Sequence, residues 1–245
     1  MEADHLISFS LYGDKNRYLI GAIRNAELAL AYMPDYKLRF YCSNQLSLDF
    51  LELLSCYENV ELRIMPDDDD VNGMFWRFDA LLNHERYSSI MIRDCDSRLS
   101  RREILAHADF MKSKKHFHIM KDHPTGHNRN ILGGLFSCKE RWGSFIPKVA
   151  KFARHTGQYG ADMAFLDRFI YPILKWDSLV HDASLQSRLP FTSVVRDFPS
   201  KKLWQLNMVG AAVNENDEFV YDFDIATSFA ETGENKYVCD WSQLN

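Results

Sequence analysis

Between residues 6 and 93, four short apolar runs alternate with segments of helical spacing, and this alternation restricts the fold more than any single motif. Residues 6–12, 38–42, 60–65 and the run Ile90-Met91-Ile92 read as strands. Residues 18–31, 46–56 and 73–83 place apolar side chains at helical intervals. Met33-Pro34-Asp35 stops the first of these helices, and Pro66 ends the third strand. Neighbouring parallel strands need a crossover of a dozen or more residues, which a helix supplies. The expected class is therefore α/β, with a mostly parallel central sheet flanked by helices.

Further along, residues 101–113 read as a charged amphipathic helix. Strands are expected at 116–120 and 131–137, with a polar loop over 121–130 between them. Helices follow at about 143–155 and 161–174, and after Asp177 the pattern loosens into short apolar pieces and aromatics; of these, Phe191, Phe198, Trp204, Phe219, Tyr221, Phe223 and Trp241 either pack against the sheet or shape an acceptor groove. The charge run Asp67-Asp68-Asp69-Asp70 reads as a solvated loop. With 245 residues and no internal repeat, residues 1–245 are expected to form a single domain with a less regular C-terminal part.

Lys and Arg number 29 against 34 Asp and Glu, a net charge of −5, which argues against a nucleic-acid binder. The cysteines at 42, 56, 95, 138 and 239 are odd in number and form no CxxC pair. They read as free thiols rather than a disulfide framework or a zinc ribbon. The acidic N-terminus and the lack of any run long enough to span a bilayer point to the cytoplasm. A peripheral contact with a membrane surface stays open, and the oligomeric state is unread.

The chemistry concentrates where Ile90-Met91-Ile92-Arg93 runs into Asp94-Cys95-Asp96-Ser97-Arg98. Two carboxylates at the end of a buried strand lie where open α/β sheets bind ligands. Their hard oxygens suit Mn²⁺ or Mg²⁺, although a bare Asp-x-Asp also marks many solvated turns. Arg93 and Arg98 bracket the pair, as a salt-bridge cluster or, for Arg98, as a fork for diphosphate or sugar oxygens. Arg77 and Asp79 interrupt the apolar stretch Met74–Leu82, so they either line a site or pair with each other. Lys121, Asp122 and His123 follow a strand end and are candidates for contacting substrate. Gly133-Gly134 allows a backbone or ligand to approach closely. Asp162 sits at a helix start, favoured there by the helix dipole or aimed into a cleft. His181-Asp182 ends an apolar stretch, as a surface histidine or a metal ligand. No P-loop, G-x-G-x-x-G or G-x-S-x-G is present, which removes the main support for NTPase, dehydrogenase and hydrolase readings.

The ordered set Phe75-Trp76-Arg77-Phe78-Asp79-Ala80, Asp94-Cys95-Asp96, His118–Pro124, Ile131-Leu132-Gly133-Gly134, Gly160-Ala161-Asp162 and His181-Asp182 resembles small bacterial and viral nucleotide-sugar glycosyltransferases of the GT-A type. The likeness covers about residues 5–185. It implies a GT-A fold with a nucleotide-binding half at about 1–98 and an acceptor half at about 99–245. It further implies a cation, Mn²⁺ or Mg²⁺, held by Asp96 directly, by Asp94 directly or through the ribose side, and by the late His181 or its neighbour Asp182. Ser8, Ser10, Leu11 and Tyr12 would lie against the nucleotide, with Arg77, Asp79 and Cys95 completing the donor site. Asp162, Arg98 and Asp122 would form the catalytic set, Asp162 facing the donor or acceptor sugar. Met163 departs from the polar residue many relatives carry after that aspartate.

The implied reaction moves a sugar from a nucleoside-diphosphate sugar, UDP-sugar by default, to a glycan or other hydroxyl. The late histidine and the Arg-x-Asp helix favour retention over inversion. A metal-dependent nucleotidyltransferase or pyrophosphorylase, or a non-catalytic nucleotide-binding module, are the alternatives.

Overall fold

The computed structural model describes residues 4–66, 70–82, 86–123, 126–152, 158, 160–184, 194–203 and 207–243. The first half runs β1 (His5–Leu11), α1 (Asn16–Tyr32), β2 (Tyr36–Ser43), α2 (Leu48–Ser55) and β3 (Val60–Met65). A helical turn, α3 (Asp70–Gly73), and a 3₁₀ helix (Trp76–Leu82) then lead into β4 (Ser89–Arg93). The second half contributes α4 (Arg101–Lys112), β5 (Phe117–Lys121), β6 (Leu135–Lys139) and α5 (Phe145–Ala150). A helix then begins as α6 (Ala161–Phe165), widens through Leu166–Ile170 and ends as α7 (Tyr171–Leu174). The strands β7 (Ser178–Asp182) and β8 (Val194–Arg196) and the helix α8 (Asp222–Thr232) complete the described elements.

The strands form one sheet in the order β3-β2-β1-β4-β6-β5-β7-β8. All neighbours pair in parallel except β6, which runs antiparallel to both β4 and β5. The largely parallel α/β sheet expected from the sequence is the sheet observed. From β1 the chain steps outward to β2 and β3, then returns to place β4 on β1's other side. The strand order therefore reverses between β1 and β4, where a crevice opens at the carboxyl ends.

Both faces of the sheet are covered, so its central strands are apolar on both sides. Leu6, Ile90, Ile92 and Phe136 pack with Phe75, Trp76, Phe78 and Phe165. Ile7, Phe9 and Met91, pointing the other way, pack with Ala22, Ala26 and Ala29 of α1. Ser100 caps α4 by accepting from Glu103 N at 3.2 Å.

Three expectations change. The stretch read as a helix over 73–83 is a single turn followed by a 3₁₀ helix, because the aromatics on several sides of it are buried together. The strand read at 131–137 begins only at Leu135; Gly133 and Gly134 form the turn before it, closed by Leu135 N to Leu132 O at 3.2 Å. Beyond Asp177, where the sequence reads as loose, β7 lies fully buried in the sheet and α8 ends at Gly233 with φ +77°. The Asp67-Asp68-Asp69 portion of the acidic run and residues 153–157 of the expected helix lie outside the described residues. All five cysteines are free, and no described helix is long and apolar enough to cross a membrane.

Candidate active site

β1 and β4 run side by side, with Phe9 opposite Arg93, and their carboxyl ends open onto a cavity of about 490 Å³. Ser10 of β1 and Tyr12 just past it line the cavity, with Asp94, Cys95 and Asp96 from the turn after β4 and Asp162 from the first turn of α6.

Arg77 organises this floor. It is 5% exposed, and its backbone is fixed by β1: Ser8 Oγ donates to Arg77 O at 2.8 Å, and Arg77 N donates to Ser10 Oγ at 2.9 Å. Nη1 binds Asp94 Oδ1, and Nη2 donates to Asp162 Oδ2 at 2.7 Å. The two carboxylates hold the buried guanidinium charged, despite a burial that works against it. Burial raises the Asp162 carboxyl while Arg77 draws it back down.

The Gly133-Gly134 turn lets this cluster close. A Cβ on Gly133 would lie 2.4 Å from Asp162 Oδ2, and one on Gly134 would lie 2.0 Å from Asp94 Oδ2. The close approach that the sequence suggested for these glycines is therefore made by the site's own side chains.

The Asp94-Cys95-Asp96 turn is held from α1. Asn25 Nδ2 donates to Ser97 O at 2.9 Å, and Asn25 Oδ1 accepts from Leu99 N at 2.9 Å. Gly21 allows the helix to touch the turn, since a Cβ there would meet Cys95 O at 2.0 Å. Arg17 Nε stands 3.7 Å from Asp96 Oδ2. Burial, then the neighbouring Asp94, push the Asp96 carboxyl up to about 6. The Cys95 thiol is pushed up by burial and is 2% exposed, so it offers no thiolate ligand.

Among the sequence-derived candidates, Ser10, Tyr12, Arg77, Asp94, Cys95, Asp96 and Asp162 share the cavity. Six others do not line it. Ser8 lies beneath it as a support for Arg77, and Leu11 belongs to the core under α1. Asp79 is on the 3₁₀ helix and is directed elsewhere. Arg98 turns away to donate to Asp217 Oδ1 at 2.7 Å and Asn214 O at 2.9 Å. Asp122 is fully buried, gripped by Arg102 at 2.8 and 2.9 Å and by Val209 N at 2.9 Å. His181 is equally buried: its Nδ1 is 2.7 Å from His118 Nε2, and its Nε2 is 3.3 Å from Asp109 Oδ2. The parallel register that pairs β7 with β5 sets His181 level with Met120, away from the end of β4. Arg98, Asp122 and His181, expected as catalytic or metal-binding residues, therefore lie outside the cavity lining.

Other residues enter the cavity unannounced by spacing. Tyr18, His127, Tyr221, Phe223 and Asp224 all line it, together with His123. The sequence carried a signal for His123, through its place just past a strand end, and for Tyr221 and Phe223, which belong to an aromatic-rich tail able to shape an acceptor groove or pack on the sheet.

Among the described residues, no three His, Cys, Asp or Glu side chains converge as a metal cluster. Asp94 and Asp96 supply a hard, all-oxygen pair. Mg²⁺ and Mn²⁺ are often held by one or two carboxylates, with substrate phosphates and water completing the shell, and the pair fits that arrangement.

No family model matches the chain, and no curated protein matches it. Solved structures do. A mannosyltransferase, PcManGT from Pyrobaculum calidifontis, in complex with GDP-Man and Mn²⁺, aligns over 84% of this chain and 61% of its own length, with TM-score 0.50 and 10% identity. The galactosyltransferase LgtC, with donor and acceptor sugar analogues, covers 73% of each chain at TM-score 0.44 and 10% identity. The glycosyltransferase GlyE of Streptococcus pneumoniae covers 76% of this chain and 47% of its own at TM-score 0.47 and 10% identity. At 10% identity the likeness to PcManGT shows the fold alone, a mostly parallel α/β sheet of the GT-A type.

Proposed function

We infer that this chain is a nucleotide-sugar glycosyltransferase, moving a sugar from a nucleoside-diphosphate sugar to a hydroxyl acceptor. One observation carries the reading: Asp94 and Asp96 directly follow β4 at the reversal of strand order, on the floor of a cavity of about 490 Å³. Fold likeness alone would leave chemistry open; the acidic pair in that crevice narrows it.

Asp94 and Asp96 would hold Mn²⁺ or Mg²⁺. Bound there, the cation would neutralise the departing diphosphate. Arg77 fixes Asp94 and Asp162 in place, so both carboxyl groups are oriented to meet sugar hydroxyls. Ser8 positions Arg77 from below, and Ser10 both accepts from Arg77 N and lines the cavity. Because Asp162 already spends Oδ2 on Arg77, it is a better orienting acceptor than a strong base. That supports retention, in which the leaving phosphate rather than a protein carboxylate takes the acceptor proton. UDP is the favoured nucleotide. Residues 1–98 would supply most of the donor site and residues 99–245 the acceptor side.

The test is a thermal-shift panel of UDP, GDP, CDP and dTDP, with and without Mn²⁺, on wild type and Asp96→Ala. Binding to the folded state raises the melting temperature by mass action. A metal-dependent shift with one nucleotide, lost in Asp96→Ala, supports the reading. A flat panel, or shifts indifferent to both metal and Asp96, would discard it.

A further inference from the structure

The amino end of α8 stands at the cavity mouth, and the donor chemistry uses none of its residues. Tyr221 and Phe223 line the cavity while keeping 57% and 51% of their surface exposed. Beside them Asp224 is only 2% exposed. Its Oδ1 lies 3.0 Å from His123 Nε2, whose ring centroid is 5.4 Å from that of Phe223.

The proton positions on this pair are determined by a neighbour. His123 Nδ1 accepts from Gly126 N at 2.6 Å, so that nitrogen carries no hydrogen. The hydrogen therefore sits on Nε2 and is donated to Asp224. His123 Nε2–H is thus a fixed donor to the buried Asp224 carboxyl, which also interacts with the charge of Lys202. His127 is set in the same way. Its Nδ1 accepts from Asp122 N at 2.8 Å and His123 N at 3.2 Å, which leaves Nε2–H as a donor on the cavity wall.

Two exposed ring faces, one buried carboxylate and one fixed imidazole donor are a set suited to a polyhydroxylated ligand with one apolar face. We propose that Tyr221, Phe223, Asp224 and His127 form the acceptor subsite and that it takes a neutral pyranoside. The C–H face of the sugar lies on the aromatic rings, whose faces are electron-rich. Adjacent hydroxyls reach Asp224 Oδ2 and His127 Nε2. Four aspartates, Asp94, Asp96, Asp162 and Asp224, line the cavity, while Arg77 is the one arginine or lysine among its described lining residues. An acidic sugar such as a uronide is therefore repelled. This assignment rests on the transferase reading for the word acceptor, though not for the ligand chemistry.

The experiment measures pyranoside binding by saturation-transfer NMR, with nucleoside diphosphate and Mn²⁺ binding recorded in parallel. The probes are neutral methyl pyranosides and the corresponding methyl glucuronide. The proteins are wild type, Phe223→Ala, Tyr221→Ala and Asp224→Asn; the two aromatic positions are exposed enough for alanine to leave the fold in place. The expected result is binding of a neutral pyranoside but not the uronide, weakened at least tenfold in Phe223→Ala and Asp224→Asn, with nucleotide affinity within about twofold. Unchanged pyranoside affinity in all variants overturns the proposal. So does a loss confined to the nucleotide, which would place these rings in the donor site. If nucleotides bind and no pyranoside does, the subsite falls and the transferase reading stands. If pyranosides bind through Phe223 and no nucleotide does, the reverse holds.

Discussion

Arg77 Nη2 donates to Asp162 Oδ2 at 2.7 Å across 85 residues of sequence, joining the two halves of the chain at the cavity floor. The same guanidinium binds Asp94, so one side chain fixes two of the carboxylates on which the proposed chemistry depends.

Replacing Arg77 with lysine should break this bridge, because an ammonium cannot fork between two carboxylates. Removing a partner from a buried charge typically costs about 3–5 kcal/mol. Arg77→Lys should lose most of its Mn²⁺-dependent nucleotide binding and melt at lower denaturant than wild type, as urea titration would record. Wild-type values in both assays would mean the bridge is incidental.

Gly134→Ala isolates the glycine turn. Its Cβ would arrive 2.0 Å from Asp94 Oδ2, so the carboxylate must move. Nucleotide affinity in the presence of Mn²⁺ should fall at least tenfold, measured by calorimetry, while the unfolding midpoint changes far less than in Arg77→Lys.

Asp122 and His181 offer the opposite contrast. Asp122→Asn weakens a fully buried grip by Arg102 and should destabilise by about 3 kcal/mol. At a temperature where the variant is folded, its nucleotide affinity should match wild type. His181→Ala should leave the Mn²⁺ titration of nucleotide binding unchanged, and a shifted titration would return His181 to the ligand set.

Stability should fall in mild acid. Burial holds His107 and His127 down to about 3, against an ordinary value of 6.5. Between those values the unfolded chain binds protons that the folded chain refuses. Their contribution is thus complete above about pH 6.5 and is lost as pH drops toward 3, by up to about 1.4 kcal/mol per pH unit for each imidazole. Urea unfolding at pH 7, 6 and 5 should show the decline, with a shallower slope in His107→Asn. A slope identical to wild type would mean His107 is not held neutral by the fold.

The sequence made the parallel half legible because β1 to β4 are short apolar runs with clear stops, and the same runs located the Asp94-Cys95-Asp96 turn. Arg77 was legible too, as a charge stranded among Phe75, Trp76 and Phe78. The later half was harder. β7 offers only Leu179 and Val180 as an apolar core, with His118, Asp109 and Arg196 accounting for the polar atoms around His181. Nothing in the spacing of Asp224 announces that it folds back against His123, 101 positions earlier. That Arg98 and Asp122 turn away from the cavity was not legible, because a charge next to a strand end reads the same whether it meets a ligand or a distant loop.

The reversed strand β6 has a consequence for how such a chain can diversify. Because β6 runs against β5, the connection between them starts and ends on the cavity side, and it delivers His123, Gly126, His127, Gly133 and Gly134 to the wall. A single hairpin loop therefore carries much of the pocket's shape. Insertions or deletions there could give descendants of this protein new ligand preferences while every parallel strand kept its register.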